Sequence, residues 1–389
     1  MAPILNALLF VRLRADAYCE YVADNLNQAQ TSPLERNRAK SLGNSTVVTH
    51  AWKLTKFTKN GFLNFAIKAT VSIALVWWIL QGVDREAILQ HLRNTSSSML
   101  LLLVIGLTVL AVFQGGRWYI LLTNLGTVIT LRRATAITLL GVFYSQALPS
   151  TIGGDVFRVW SARHNGASLG VATNSVIVDR VLGLLALLIL CVLGLPSLLV
   201  LDESSVTAYA AVSVIALGIS GLIVLVLIQR LPRSWTRWLI VRGLIDLSGA
   251  FISTMRRPRT AIPVIGLSLV IQLGFVTITF LIGRSLDQGA SFSNYFIIIP
   301  LVLIISSLPI SIAGWGVREG AMVVGLGFVG VPADLALAVS VLLGGLFVLV
   351  GFISAALWFT ERHLPGGTLQ RMKTDAQDIT AIPLDSKTK

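Results

Sequence analysis

The stretch Val171-Ala172-Thr173-Asn174-Ser175-Val176-Ile177-Val178-Asp179-Arg180-Val181-Leu182-Gly183-Leu184-Leu185-Ala186-Leu187-Leu188-Ile189-Leu190-Cys191-Val192-Leu193-Gly194-Leu195-Pro196-Ser197-Leu198-Leu199-Val200 decides the fold. Apart from Asp179 and Arg180 it carries no charge. A helix needs about 20 apolar residues to cross the ~30 Å hydrocarbon layer. Run 171–200 is therefore read as a membrane-spanning helix. Working outward, runs of comparable character recur at 62–81, 98–116, 206–228, 261–283 and 334–358. Two further apolar segments, 134–150 and 293–309, each end in Leu-Pro followed by glycines, and 320–332 is a short glycine-rich run. The expected fold is an all-α polytopic membrane protein with about six full spans plus re-entrant or broken helices.

Composition agrees. Of 389 residues 54% are hydrophobic and only 13% charged, about half the charged share of a soluble domain. The net charge of +13 has a membrane explanation, because Lys and Arg collect at cytoplasmic helix ends and meet anionic headgroups. No basic domain stands apart from the helices, so nucleic acid is not an expected partner. Cys19 and Cys191 make no disulfide framework, and the four scattered histidines make no metal motif. Neither a metal nor a cofactor is expected.

Residues 1–60 form a polar, basic N-terminal region expected to be cytoplasmic. Its apolar stretch Ile4–Val11 is short and runs into Arg12 and Arg14, unlike a signal peptide. Residues 61–360 form the membrane domain, and 361–389 a polar cytoplasmic tail. With the N-terminus inside and 134–150 dipping in and returning, 25 of the 31 Lys and Arg fall on the cytoplasmic side. A full crossing by 134–150 would instead put the seven arginines of 229–259 outside, against the positive-inside rule. Within Pro232–Arg257, Trp235 and Trp238 precede Ile240, Leu244, Leu247 and Phe251 at helical spacing, the pattern of a helix lying in the interface.

A short repetition lies across the domain. Leu148-Pro149-Ser150-Thr151-Ile152-Gly153-Gly154-Asp155-Val156-Phe157-Arg158 aligns without a gap on Leu308-Pro309-Ile310-Ser311-Ile312-Ala313-Gly314-Trp315-Gly316-Val317-Arg318. Leu, Pro, Ile, Gly and Arg coincide. Each copy follows an apolar segment and breaks it, so Pro149, Gly153, Gly154, Pro309, Gly314 and Gly316 are read as helix-breaking positions. The surrounding layout repeats too, giving halves of about 61–205 and 206–360. Three crossings per half make the repeat inverted, a recurrent transporter design with its site at the breaks. Broken backbone survives at membrane depth only inside protein or beside a water-filled cavity, where helix N-termini favour anions.

Charge inside the bilayer costs about 3 kcal/mol on insertion scales. Asp179 and Arg180 are therefore expected to have a partner or a function. In one reading they form a structural Asp–Arg pair, or snorkel from a shallow position. In the other they mark a site, where Arg180, with Arg158 or Arg318, holds a lipid phosphate, since guanidinium forks match phosphate oxygens. Asp155 and Glu319 flank the motif arginines and are expected to pair with them. Arg117 in Gln114-Gly115-Gly116-Arg117-Trp118 reads as an interface anchor, Lys68 and Arg284 as snorkelling residues, and Trp118, Trp160, Trp235, Trp238 and Trp358 as an aromatic belt.

These residues carry a resemblance. Leu148-Pro149 with Gly153-Gly154-Asp155-Val156-Phe157-Arg158, then Asp179-Arg180-Val181-Leu182-Gly183-Leu184, then Gly314-Trp315-Gly316-Val317-Arg318-Glu319 resemble the flippase-like transmembrane region of lysylphosphatidylglycerol synthases. The likeness covers roughly 60–360. In the two-domain synthases it implies movement of aminoacylated phosphatidylglycerol to the outer leaflet, after a soluble domain has made that lipid. Only the tail follows the last span here, so aminoacyl transfer is not carried over and no catalytic residue is assigned. Single-domain relatives imply transport of other anionic or isoprenoid lipids, and distant ones transfer of a dolichol-linked sugar.

The expected function is flippase- or scramblase-like translocation of an anionic or aminoacylated phospholipid or an isoprenoid-linked lipid, in the inner membrane of a bacterium with both termini cytoplasmic. Its partners are membrane lipids and, in one reading, a lipid-synthesis enzyme. The alternatives are a transferase using a polyprenyl-phosphate-linked sugar, with Asp155, Asp179 or Glu319 as base, and a non-catalytic partner in a lipid-synthesis complex. No G-x-x-x-x-G-K-[ST] occurs, so a P-loop ATPase is not expected.

Overall fold

A computed structural model describes residues 96–361 except 148–152, 202–204, 231–237, 287–288 and 308–315. The N-terminal region, span 62–81, Lys68, Pro149, Pro309, Gly314 and the tail beyond 361 lie outside the described residues. Within them every regular element is helical. Ten α-helices follow in order: α1 Ser97–Asn124, α2 Leu131–Ala147, α3 Gly153–His164, α4 Leu169–Leu201, α5 Ser205–Leu227, α6 Leu239–Met255, α7 Pro258–Ser285, α8 Phe292–Ser306, α9 Val317–Gly327 and α10 Ala333–Glu361. Five of them, α1, α4, α5, α7 and α10, contain stretches long and apolar enough to cross a membrane. The chain is an all-α polytopic membrane protein.

The shorter helices come in two pairs. α2 has 17 residues and α8 has 15, which at about 1.5 Å per residue is less than the ~30 Å of a hydrocarbon core. α3 with 12 residues and α9 with 11 follow them across the Leu-Pro segments. The helix in run 320–332 ends at Gly327, earlier than the apolar run suggests. Gly153 and Gly154 are the first residues of α3, and Gly316, with φ of 89°, stands just before α9. A left-handed φ carries little penalty only for glycine.

Packing reproduces the repeat. The series α1–α2–α3–α4 and α7–α8–α9–α10 match in order and approximate length, and in each series consecutive helices pack together. Across them α1 packs on α7, α2 on α10, and α8 on α4, which is the pairing an exchange of halves requires. α1 and α7 are antiparallel: a Cβ on Gly106 would meet Ile278, Leu110 lies against Gly274, Arg117 bonds Ser268, and Asn124 bonds Arg257. Equivalent helices that run antiparallel along their common contact are related by an axis perpendicular to them, the geometry of an inverted repeat.

Close approach depends on small residues, as between membrane helices generally. A Cβ on Gly115 would fall 2.6 Å from the Thr135 Cα, and one on Gly154 would run into the Ser145 hydroxyl and the Gly141 carbonyl. The helix expected over Pro232–Arg257 is α6. Leu247, Ala250 and Phe251 pack with Leu121, Val178, Leu182 and Val264, while Leu244 and Trp238 are exposed. One face of α6 therefore belongs to the bundle. Span 98–116 proves longer: α1 continues to Asn124 and takes Arg117 inside.

Candidate functional site

The charged residues of the first half meet where α1, α3, α4 and α7 come together. Asp179 is 1% exposed and lies between two guanidinium groups. Arg117 on α1 donates from Nε to one carboxylate oxygen at 2.7 Å, and Arg158 on α3 from Nη2 to the other at 2.9 Å. Arg117 also donates from Nη1 to the Ser268 hydroxyl on α7 at 2.9 Å. Arg117 is thus not an interface anchor. It is 3% exposed and joins three helices, because the apolar run continues beyond it and carries it into the bundle.

Asp179 and Arg180 are adjacent but do not form the structural pair that one reading expected. Consecutive helical residues point about 100° apart, so Asp179 faces the bundle and Arg180 faces α3. Arg180 donates from Nε to Asp155, the third residue of α3, and Asp155 also lies 3.7 Å from Arg158 Nη1. The α3–α4 contact is therefore a crossed exchange: arginine of each helix to aspartate of the other. Asp155 also stands in the first turn of α3, where a carboxylate suits the helix dipole.

Aromatic groups hold Arg158 in place. Its guanidinium carbon lies 4.6 Å from the ring centroid of Trp118, a cation–π distance. Trp118 is fully buried and donates from Nε1 to the Ser175 hydroxyl at 3.1 Å. It does not belong to the aromatic belt; Trp160 and Trp238 are exposed as a belt requires. Tyr144 of α2 stacks on Phe157 of α3 at 4.3 Å. On the far side, a Cβ added at Gly141 would sit 3.4 Å from the Arg158 side chain. Arg158 Nε, although buried, has no hydrogen-bond partner among the described residues.

The second half holds a smaller cluster. Glu319 accepts from Arg318 Nη2 at 2.6 Å and Nε at 3.2 Å, and shares a hydrogen bond with Ser340 of α10 at 3.2 Å. Its other oxygen accepts the Gly316 backbone N–H at 2.5 Å, one arm of a capping box. Both residues are buried. The expected Arg318–Glu319 pair is present, and it ties down the start of its own helix. Arg284, exposed in the last turn of α7, sits as a helix-end cation should.

Of the sequence-predicted site residues, the structure brings Asp155, Arg158, Asp179 and Arg180 into one network and places Arg318 and Glu319 in another. Arg117, Trp118, Ser175 and Ser268 join the first network without having been singled out for it. A signal for Arg117 was present in the apolar residues on both sides of it; nothing marks Ser268, an ordinary serine in a span. Among the described residues no three His, Cys, Asp or Glu side chains are grouped to hold a metal.

The arrangement defines a class: a polytopic helical membrane protein with a repeated series of long and short helices and buried ion pairs in its interior. The family model described as the lysylphosphatidylglycerol synthase TM region matches residues 65–362, and the chain belongs to that family. It is a single domain of this type, a membrane protein related to lipid handling. No curated protein matches the chain.

Proposed function

We propose that this protein moves lipid headgroups between leaflets, as a flippase or scramblase for an anionic or aminoacylated phospholipid or an isoprenoid-linked lipid. The observation that carries this reading is the network around Asp179. Three arginines and two aspartates meet among α1, α3 and α4 of an apolar bundle. Ionisable groups at membrane depth are expensive and mark paths for polar cargo, and arginine forks match phosphate oxygens. A headgroup needs a polar route through the bundle while its tails remain in lipid. Without a P-loop, movement runs downhill or with the membrane potential. An outward step by one negative charge gains ~2.3 kcal/mol per 100 mV.

The site of action is the bacterial inner membrane, with both termini cytoplasmic and membrane lipids as partners. An enzyme that makes the cargo lipid would deliver it to the same leaflet. The test is reconstitution in vesicles carrying fluorescent lipids, with dithionite reporting arrival in the outer leaflet. Arg158→Gln and Arg180→Gln should each abolish accelerated exchange. Of the two, Arg180 has the more exposed side chain, so its variant is the less prone to misfold. Wild-type rates in both variants would rule out an arginine path, and turnover of a lipid-linked sugar by purified protein would replace translocation with transferase chemistry.

A further inference from the structure

Polar groups continue beyond the charged network along α7. Ser268, which accepts from Arg117, is followed one turn later on the same face by Gln272. On α4 the same step leads from Asp179 to Gly183. Gln272 Nε2 donates to the Gly183 carbonyl at 3.2 Å. A Cβ at Gly183 would lie 3.3 Å from that nitrogen and 3.9 Å from both Nη1 and Nη2 of Arg117. The carboxamide and the Arg117 guanidinium thus flank one glycine, whose missing side chain leaves room for both. A polar column runs from Asp179 through Arg117 and Ser268 to Gln272, away from the end at which Asn124 bonds Arg257.

Gln272 stands midway along a helix long and apolar enough to span, where hydrocarbon offers a polar group no partner. A carboxamide has two N–H donors and an oxygen that accepts twice. Among the described residues only the bond to Gly183 uses any of them. Glutamine often ties membrane helices together, and that role accounts for the nitrogen. It leaves the oxygen unexplained. The residue is half-buried. Among the described residues the sealed side-chain atoms without a partner are Arg158 Nε and Ser248 Oγ, so the Gln272 oxygen is open. An open oxygen at this depth, beside a column of polar groups, belongs on a path for polar cargo.

We propose that Gln272 binds the headgroup, its Oε1 accepting from a headgroup hydroxyl, so that the cargo is a phosphodiester whose alcohol carries further hydroxyls. This inference rests on the translocation reading and narrows its substrate class. Guanidinium groups only donate, and they select phosphate oxygens. A carboxamide oxygen selects a donor instead. An ammonium donor would have to come beside the Arg117 guanidinium, where low dielectric strengthens repulsion. A hydroxyl brings no charge. Such a headgroup offers oxygens to the arginines and a hydroxyl to the amide one turn further on.

The full-length protein is exchanged into phosphatidylcholine vesicles holding equal parts of phosphatidylglycerol, phosphatidylinositol and phosphatidylethanol, repurified, and its retained lipids are quantified by mass spectrometry. The three headgroups carry the same negative charge, and only phosphatidylethanol lacks a hydroxyl. Wild type should retain the better of the two hydroxylated lipids about fivefold over phosphatidylethanol, the scale of one neutral hydrogen bond. Which of the two it is tells a glycerol from a ring polyol. Gln272→Leu should level that ratio, and Gln272→Met, of the same length as glutamine, gives the same reading should the leucine variant not fold. Gln272→Glu keeps an acceptor in place and should keep the ratio, whatever it does to the total. Loss of the Gly183 bond alone would lower all three lipids together and leave the ratio. A level ratio in wild type, or an undiminished one in Gln272→Leu or Gln272→Met, overturns the assignment. Translocation of the same lipids with labelled tails is timed on the same samples. Hydroxyl-selective retention without translocation defeats the functional reading alone, and translocation of all three at one rate with equal retention defeats this inference alone.

Discussion

The two halves of the membrane domain carry the same motif arginine, Arg158 and Arg318, yet use it differently. Arg318 bonds the next residue, Glu319, and Ser340, and the same carboxylate caps the start of α9. Arg158 is followed by Val159 and finds its carboxylate on another helix, at Asp179, which it must share with Arg117. One cluster is local, a carboxylate and a guanidinium side by side. The other spans four helices and, among the described residues, keeps one buried donor, Arg158 Nε, without an acceptor. Internal repetition places both arginines in the short helices α3 and α9. The choice of neighbours makes one a lock for a helix end and the other a candidate for exchange with a ligand.

The comparison can be broken most directly at Asp179. Asp179→Asn leaves two buried arginines without this anion, and removing one member of a buried pair costs about 3–5 kcal/mol. The loss should appear as the largest fall in thermal midpoint in detergent, because two cations lose their shared partner. Glu319→Gln should cost less, about 3 kcal/mol, since the amide oxygen still accepts from Gly316 and only one arginine is affected. If Glu319→Gln proves the more damaging, the assignment of lock and exchange site is inverted.

Glycine contacts sharpen the same contrast on a smaller scale. Gly154→Ala pushes a methyl into the Ser145 hydroxyl and the Gly141 carbonyl, and overpacking of this kind costs about 1–3 kcal/mol. In the other hairpin a Cβ at Gly325 would meet the Ile298 side chain at 2.7 Å. A side chain can turn aside where a backbone carbonyl cannot, so Gly325→Ala should lower the midpoint less than Gly154→Ala. Smallest should be Trp118→Phe. It keeps an aromatic face for Arg158 but loses the bond to Ser175, worth about 1 kcal/mol. A drop as large as that of Asp179→Asn would mean that the indole, not the carboxylate, holds Arg158.

Much of this was legible along the chain. Apolar length placed α4, α5, α7 and α10 within a few residues, since hydrocarbon thickness leaves a spanning helix little freedom in length. Leu-Pro followed by glycine is a breaking pattern, because proline ends a helix and glycine permits a turn, and the described helices α3 and α9 begin after it. Arg158, Asp155, Asp179 and Arg180 stood out through the cost of charge in lipid. Their pairing was less visible. Asp179 and Arg180 invite pairing as neighbours, but helical geometry turns them apart. Arg117 looked like an anchor because its position at the end of the 98–116 run suggested an interface, while α1 carries on to Asn124.

The pattern along the chain is enough to set the solvent and the plan: a bilayer, helices cut to its thickness, and a motif that recurs in the same order. Those follow from the cost of exposing backbone and charge to hydrocarbon, which acts on each segment alone. Which carboxylate meets which arginine was decided only in the tertiary structure. An ion pair depends on distances of a few ångströms between helices remote in the chain, and these are set by packing of small residues such as Gly115 and Gly154. The same packing brought Arg117, Ser268 and Trp118 to Asp179 and Arg158, and left Arg158 with a donor to spare.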